Sequence, residues 1–114
     1  MDNCLFCKIL AGDIPANVAL DTDDVLAFHD IRPQAPVHVL FIPRRHIATI
    51  NECSPEDEGL LGRMVLAAKK WAQENGLSEP GYRLVFNVNP GGGQEIYHIH
   101  LHLLGGRQMM WPPG

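Results

Sequence analysis

The sequence predicts an α+β domain built on an antiparallel β-sheet. Several short β-rich runs are separated by turn residues, which is the pattern of hairpins and meanders. A single long amphipathic segment lies between the third and the fourth of these runs. A chain of 114 residues suits one domain with a modest core, so we expect a single domain over 1–114, with 107–114 as a C-terminal arm.

Local patterns place the helices and strands. Apolar spacing over 5–11 that stops at Gly12 predicts a short N-terminal helix. Ser54 is a suitable N-cap for the long helix, which should end at Asn75 because a glycine follows. The apolar stripe of that helix comprises Leu60, Leu61, Met64, Val65, Ala68 and Trp71. Five strands are expected over 18–20, 25–28, 38–43, 82–88 and 97–104.

Composition narrows the classes of partner. Hydrophobic residues make up 46% and charged residues 19% of the chain, an ordinary globular balance. A net charge of −4 without any basic block argues against a nucleic-acid partner. No apolar run approaches the roughly 18 residues that a membrane span needs, and no signal sequence is recognisable. We expect a cytoplasmic protein without a membrane partner.

The most informative stretch carries three histidines in alternation with apolar residues. His98, His100 and His102 recur at every second position, so a strand places all three imidazoles on one face and an apolar row on the other. A helix would turn His100 away from its two neighbours. Each imidazole can donate, accept, bind metal or attack an electrophile near neutral pH. The row therefore predicts a reactive site instead of a packing surface.

A glycine-rich loop leads directly into the histidines. The three glycines at 91–93 allow backbone N–H groups to approach an anion closely, and Gln94 follows them. Glycines alone would be weak evidence. Beside the histidine row they indicate a phosphate held next to a nucleophile.

The histidine pattern resembles the signature of the histidine triad (HIT) superfamily, and the rest of the chain is similar to its phosphoramidase branch. The matching segments are His98-Ile-His100-Leu-His102-Leu-Leu, Phe28-His-Asp-Ile31, Pro33-Gln-Ala-Pro36, Gly92-Gly-Gln94, Leu104-Gly-Gly-Arg-Gln108 and Trp111-Pro-Pro-Gly114. The likeness covers nearly the whole chain. It implies the HIT-like fold, a five-stranded antiparallel sheet with one long helix and a short N-terminal helix.

The resemblance also implies roles for individual residues. The middle histidine, His100, would attack the α-phosphate of a nucleotide and form a nucleotidyl-histidine that water hydrolyses. His102 would hydrogen-bond a phosphate oxygen or protonate the departing amine, with His98 and His38 as further catalytic histidines. Asp30 would accept hydrogen bonds from the ribose. The remaining nucleotide-binding residues would be Ile31, Asn87, Gly93, Gln94, Glu95 and the base-pocket residues Phe6, Ile9, Ile14 and Phe28.

One position departs from the pattern of many relatives of the animal type, which carry serine where this chain has Glu95. A carboxylate repels an anionic phosphate unless it points away or is protonated. The backbone N–H of Glu95 could still bind phosphate, and its side chain could meet a cationic leaving amine.

The cysteines suggest a metal site. Cys4 and Cys7 have the two-residue gap that lets both thiolates reach one ion, whereas Cys53 stands alone. Two free cysteines are the alternative interpretation. By resemblance to bacterial members, His46 and His98 would complete a structural zinc site, and catalysis would need no cofactor. Metal binding would exclude His98 from acid–base chemistry.

The resemblance implies a homodimeric hydrolase that acts on purine nucleoside 5′-monophosphoramidates such as AMP or GMP conjugates. A dinucleoside polyphosphate hydrolase is the alternative within the superfamily, although the tail ending at Trp111 is typical of the phosphoramidase branch. A zinc-stapled nucleotide-binding protein with little turnover is the alternative from another class.

Overall fold

A five-stranded antiparallel sheet forms the centre of the structure, a computed structural model that describes residues 3–114. The order of strands is β1-β2-β3-β5-β4. The strands are β1 (Val18–Asp21), β2 (Val25–His29), β3 (Val37–Pro43), β4 (Tyr82–Phe86) and β5 (Leu101–Gly105), and the helices are α1 (Leu5–Leu10) and α2 (Glu58–Glu74). The predicted α+β fold with one long and one short helix is confirmed.

Alternation along the strands divides the apolar side chains between two layers. From β3, Val39 and Phe41 face α2, whereas Leu40 and Ile42 face the opposite side, together with Phe6 of α1. The layer under α2 is the larger of the two. The opposite face of the sheet, covered only in part, is left for the functional site.

The long helix begins with a short 3₁₀ turn, Pro55–Asp57, before the regular α2. The backbone N–H of Ser54 donates to the Asp57 carboxylate at 2.9 Å, and Arg45 pairs with the same carboxylate. The predicted apolar stripe is buried at Met64, Ala68 and Trp71, but Val65 is 38% exposed because it lies at the margin of the buried face. Within residues 3–114, neither helix combines the length and the apolarity that a membrane crossing needs.

The last strand starts later than predicted. It begins at Leu101 instead of residue 97. Its partner strand β4 ends at Phe86, which pairs with Leu101, and beyond Phe41 the strand β3 pairs with β2 alone. Before Leu101 the histidine stretch is irregular, with a bend over residues 96–98, and Ile99 N–H donates to the carbonyl of Ile47 in a loop at 2.8 Å. The prediction of an apolar row is confirmed, since Ile99 and Leu101 lie in the core under α2.

Candidate functional site

A cavity of about 720 Å³ opens on the sheet face opposite α2. It lies where α1, β2, β3 and β5 meet the loop before the histidines. The predicted residues that line it are Phe6, Ile9, Ile14, Phe28, Asp30, Ile31, His38, Asn87, Gly93, Glu95, His100 and His102. Two predicted residues, Gln94 and His98, do not line it. The cavity therefore gathers most of the predicted nucleotide-binding side chains.

The ring of His100 is held by the backbone. Its Nδ1 lies 2.8 Å from the carbonyl oxygen of His98, so Nδ1 carries the proton and donates it. Nε2 consequently keeps its lone pair. Burial lowers the pKa of His100, which keeps this nitrogen unprotonated at neutral pH. The geometry is that of a neutral nucleophile.

His38 and His102 form a hydrogen-bonded pair. The backbone contact of His38 determines the tautomer of both rings. The backbone N–H of Gln34 donates to Nδ1 of His38 at 3.1 Å, so the His38 proton lies on Nε2. That proton is donated to Nδ1 of His102 across 2.9 Å. His102 must then carry its own proton on Nε2. The Asn87 amide, whose Nδ2 lies 3.5 Å away, can accept that proton only when it is turned over so that its oxygen faces the ring. The uncharged Nε2–H group of His102 is therefore the donor at the cavity.

These histidines are neutral for physical reasons. Burial, and then the neighbouring His100 and His38, lower the pKa of His102 from 6.5 to about 4. Burial also lowers the pKa of His38, against the opposing attraction of the Asp30 carboxylate. At neutral pH the group therefore offers one lone pair, on His100, and one N–H, on His102.

Asp30 lies at the end of β2 on the rim of the cavity. Its Oδ1 accepts from the backbone N–H of Arg32 at 2.8 Å, and its Oδ2 lies 3.6 Å from Nε2 of His38. The carboxylate keeps further lone pairs for hydroxyl donors. Ile31 beside it is 93% exposed.

Aromatic side chains form the apolar end of the cavity. The rings of Phe6 and Phe28 meet edge to face with centroids 5.4 Å apart. Both are buried, and Ile9 and Ile14 extend the same surface. This end suits a flat apolar group such as a purine.

The glycine loop is arranged differently from the sequence expectation. The N–H groups of Gly92, Gly93 and Gln94 donate to carbonyls within the loop, because the chain closes a 3₁₀ turn there. They are therefore not free for an anion. Gly93 has φ +80°, a conformation that favours glycine. Gly93 lines the cavity.

Gln94 holds the loop together instead of facing the cavity. Its side chain is buried, its Oε1 accepts from the N–H of Asn89 at 3.0 Å, and its Nε2 donates to the carbonyls of Ala48 at 2.7 Å and Ile96 at 3.1 Å. All of these partners are backbone atoms. The residue fixes the loop that carries Gly93 against the loop that carries Ala48.

Glu95 is exposed between two cavities. It lines the first cavity and also a shallower one of about 580 Å³ that includes Tyr97 and reaches Cys4 and His46. Its carboxylate is therefore placed at the border of the candidate site.

A second cluster lies behind the cavity, where the predicted metal ligands meet. One ligand atom from each of Cys4, Cys7, His46 and His98 lies within 4.8 Å of the other three. Nδ1 of His98 is 3.4 Å from Sγ of Cys4 and 3.6 Å from Sγ of Cys7, and Nδ1 of His46 is 3.4 Å from Sγ of Cys7. The four residues form a candidate metal centre.

The orientation of His98 assigns its ring to that cluster. Its Nε2 lies 2.8 Å from the carbonyl oxygen of Pro43 and donates to it, so Nδ1 keeps a lone pair for the thiol side. The residue is fully buried. Its ring therefore faces the metal ligands, whereas its backbone carbonyl supports His100.

Sequence reasoning missed the groups that orient the histidines. They are the N–H of Gln34 and the carbonyl of Pro43, both main-chain groups. The Pro33-Gln-Ala-Pro36 segment was a signal for the first, since it formed part of the family resemblance. No local signal pointed to the second.

The chain is similar to known proteins over most of its length. The family model of the HIT domain matches residues 11–109. A purine nucleoside phosphoramidase of Escherichia coli is 50% identical over 108 residues, covering 95% of this chain and 91% of the relative. The crystal structure of a HIT family hydrolase from Legionella pneumophila is 67% identical with a TM-score of 0.96, covering 98% of this chain and 100% of that one.

A further solved structure bears on the second cluster. A zinc-bound histidine triad family protein of Mycobacterium smegmatis is 31% identical with a TM-score of 0.80, covering 93% of this chain and 76% of that one.

Proposed function

The chain belongs to the HIT family, and on that premise we propose that it hydrolyses the P–N bond of purine nucleoside 5′-monophosphoramidates. The products would be AMP or GMP and an amine. The observation that carries the proposal is the unprotonated Nε2 of His100, placed in a cavity beside the N–H of His102. The named activity of the E. coli relative supports the choice of bond and of purine.

The reaction would proceed in two displacements. The lone pair on Nε2 of His100 attacks phosphorus, the N–P bond to His100 forms, and the bond to the leaving nitrogen breaks. The leaving nitrogen takes up one proton from solvent. Water then attacks phosphorus, the bond to His100 breaks, and one proton is released, so that protons balance over the cycle.

The remaining side chains would stabilise and orient the substrate. As a neutral donor, Nε2–H of His102 bonds a phosphate oxygen on which negative charge grows in each displacement. Asp30 accepts from the ribose hydroxyls, and Phe6 and Phe28 enclose the base. The Glu95 carboxylate lies at the border of the cavity, where it favours leaving groups that carry a cationic amine.

We propose that zinc occupies the second cluster. Zinc bonds of about 2.3 Å to sulfur and about 2.0 Å to nitrogen place tetrahedral S···N neighbours about 3.5 Å apart, and the observed distances are 3.4, 3.4 and 3.6 Å. Four protein ligands close the site, so its contribution is structural. Protein purified without chelator should contain one zinc per chain, lost in Cys4→Ser; elemental analysis that finds none contradicts the assignment.

A turnover assay with an adenosine 5′-phosphoramidate of a simple amine tests the activity. His100→Ala should lower amine release by roughly three orders of magnitude or more, while AMP still binds, because the base and ribose contacts lie elsewhere. The control is Gln73→Ala, since Gln73 lies on the exposed side of α2 and away from the cavity.

The outcomes separate the alternatives. If the wild type binds AMP without turnover, the chain would be a nucleotide-binding protein instead of a hydrolase. If the protein cleaves a dinucleoside polyphosphate in strong preference to the phosphoramidate, the result would favour a dinucleoside polyphosphate hydrolase. Near wild-type turnover by His100→Ala would exclude His100 as the nucleophile.

A further inference from the structure

Phe6 connects the metal cluster with the reacting histidine. Its ring lies edge-on to the ring of His98, with centroids 5.9 Å apart, and edge-on to the ring of His100 at 5.1 Å. The same ring meets Phe28 in the cavity wall at 5.4 Å. One buried side chain thus touches a candidate metal ligand, the candidate nucleophile and the apolar end of the nucleotide cavity.

The helix that carries Phe6 is attached to the sheet at few points. Phe6 is the only buried residue of α1. Within residues 3–114, the side-chain hydrogen-bonding contacts from α1 and its N-cap to the rest of the fold are those of Cys4 and Cys7 to His46 and His98. A six-residue helix is not stable by itself. Its position therefore depends on the cluster, on the packing of Phe6 and on the partly buried Ile9 and Leu10 beside it.

The same helix provides part of the cavity wall. Leu5, Phe6 and Ile9 all line the proposed nucleotide cavity, although the cluster lies behind it. Anything that holds Cys4 and Cys7 against the two histidines also holds this wall in place. Releasing the thiols would free the wall to move.

We infer that metal in the Cys4/Cys7/His46/His98 cluster tightens nucleotide binding in the cavity, with Phe6 as the positioning residue that couples the two sites. The inference rests on the proposed nucleotide site. It concerns affinity instead of the chemical step, because the His98 carbonyl that orients His100 belongs to the backbone. By linkage, nucleotide must tighten metal binding by the same factor.

The coupling can be measured without turnover, with AMP and zinc as probes. AMP affinity is determined by calorimetry on zinc-loaded and on chelator-treated full-length protein. Zinc affinity is determined by competition with a chelator, with and without AMP. We expect each ligand to tighten the other about tenfold, within the usual range of coupling between sites, and far-UV circular dichroism reports whether the sheet persists after chelation.

Variants of α1 locate the coupling. Phe6→Leu keeps an apolar side chain but removes the ring edges, so the variant should retain one zinc per chain while the coupling falls towards a factor of one. Lys8→Ala, on the exposed side of the same helix, is the matched control and should behave as wild type. Because Phe6 also contacts the base, its AMP affinity alone does not measure the coupling. The zinc affinity of Phe6→Leu with and without AMP gives the coupling factor separately from that contact.

The possible results are distinct. Zinc-loaded wild type that fails to bind AMP contradicts the proposed function itself. AMP binding with a coupling factor of one contradicts only the coupling, and so does Phe6→Leu with wild-type AMP affinity and coupling. Coupling that is lost in Phe6→Leu and kept in Lys8→Ala supports it.

Discussion

The backbone carbonyl of His98 accepts the Nδ1 proton of His100 at 2.8 Å, while the His98 ring faces two thiols. One residue therefore belongs to both sites, through different atoms. The tautomer of the candidate nucleophile is set by the main chain, and side-chain substitution at His98 would not remove the acceptor. The contribution of the His98 ring is to anchor the start of the histidine stretch.

His38→Ala should lower kcat about 10²-fold with little change in KM. The substitution removes the His38 N–H that holds the proton of His102 on Nε2. Some of the protein molecules would then carry the His102 proton on Nδ1, and these molecules would lack the N–H donor at the cavity. Gln34→Ala is the control, because Gln34 acts on His38 only through its backbone N–H. Steady-state kinetics on both variants check this, and an unchanged kcat in His38→Ala would show that the pair is dispensable.

Acid should destabilise the fold through His102. In the unfolded chain this histidine takes up a proton below about pH 6.5, whereas the folded pKa is about 4. The unfolded state therefore binds more protons between these values, and stability falls as pH drops from about 6.5 to 4, by about 3 kcal/mol from this group. Urea unfolding at pH 7 and pH 4 should show a smaller loss for His102→Gln than for the wild type; equal losses would contradict the assignment.

Gln94→Ala should reduce the free energy of unfolding by about 2–3 kcal/mol. The buried amide bonds Asn89, Ala48 and Ile96, and its removal leaves one N–H and two carbonyls without these partners. Gln73→Ala, on the exposed face of α2, is the control and should change stability little. Denaturant unfolding measures both. A loss below 0.5 kcal/mol would mean that water replaces the amide without cost.

We expect a homodimer in which the arm at 107–114 reaches the partner. Met110 and Trp111 are 70% and 83% exposed, a large apolar surface for a tail, and β1 and β4 each leave one strand edge open. Arg107 donates to the Gln34 carbonyl and holds the base of the arm. Sedimentation should give a dimer at micromolar concentration, and deleting 108–114 should change the preference among leaving amines without abolishing turnover. A monomer, or unchanged selectivity, would contradict this expectation.

The fold was predictable because its signals are local. The short β-rich run at 38–43 and the N-cap at Ser54 predict a strand and a helix start without knowledge of the neighbours. The start of the last strand was not predictable, because it depends on the pairing of Leu101 with Phe41 and Phe86 on two other strands.

The local features of the site were predictable from the sequence, whereas the orientation of two of its side chains was not. The hydrogen bond from His100 to the His98 carbonyl joins residues that are two apart in sequence, so it is a local feature of this stretch. The orientation of His98 and Gln94 depends on tertiary partners, the carbonyls of Pro43 and Ala48, that lie far away in sequence. A polar residue after three glycines resembles a ligand contact, and only the fold shows that its amide is buried.

The two tryptophans should differ in their fluorescence. Trp71 is 8% exposed and packs against the His29 ring, whereas Trp111 is 83% exposed on the arm. Emission from the first should be blue-shifted and shielded from aqueous quenchers, and emission from the second red-shifted and quenchable. With Trp71 replaced by phenylalanine, the remaining indole would signal whenever the tail passes from water into a covered position.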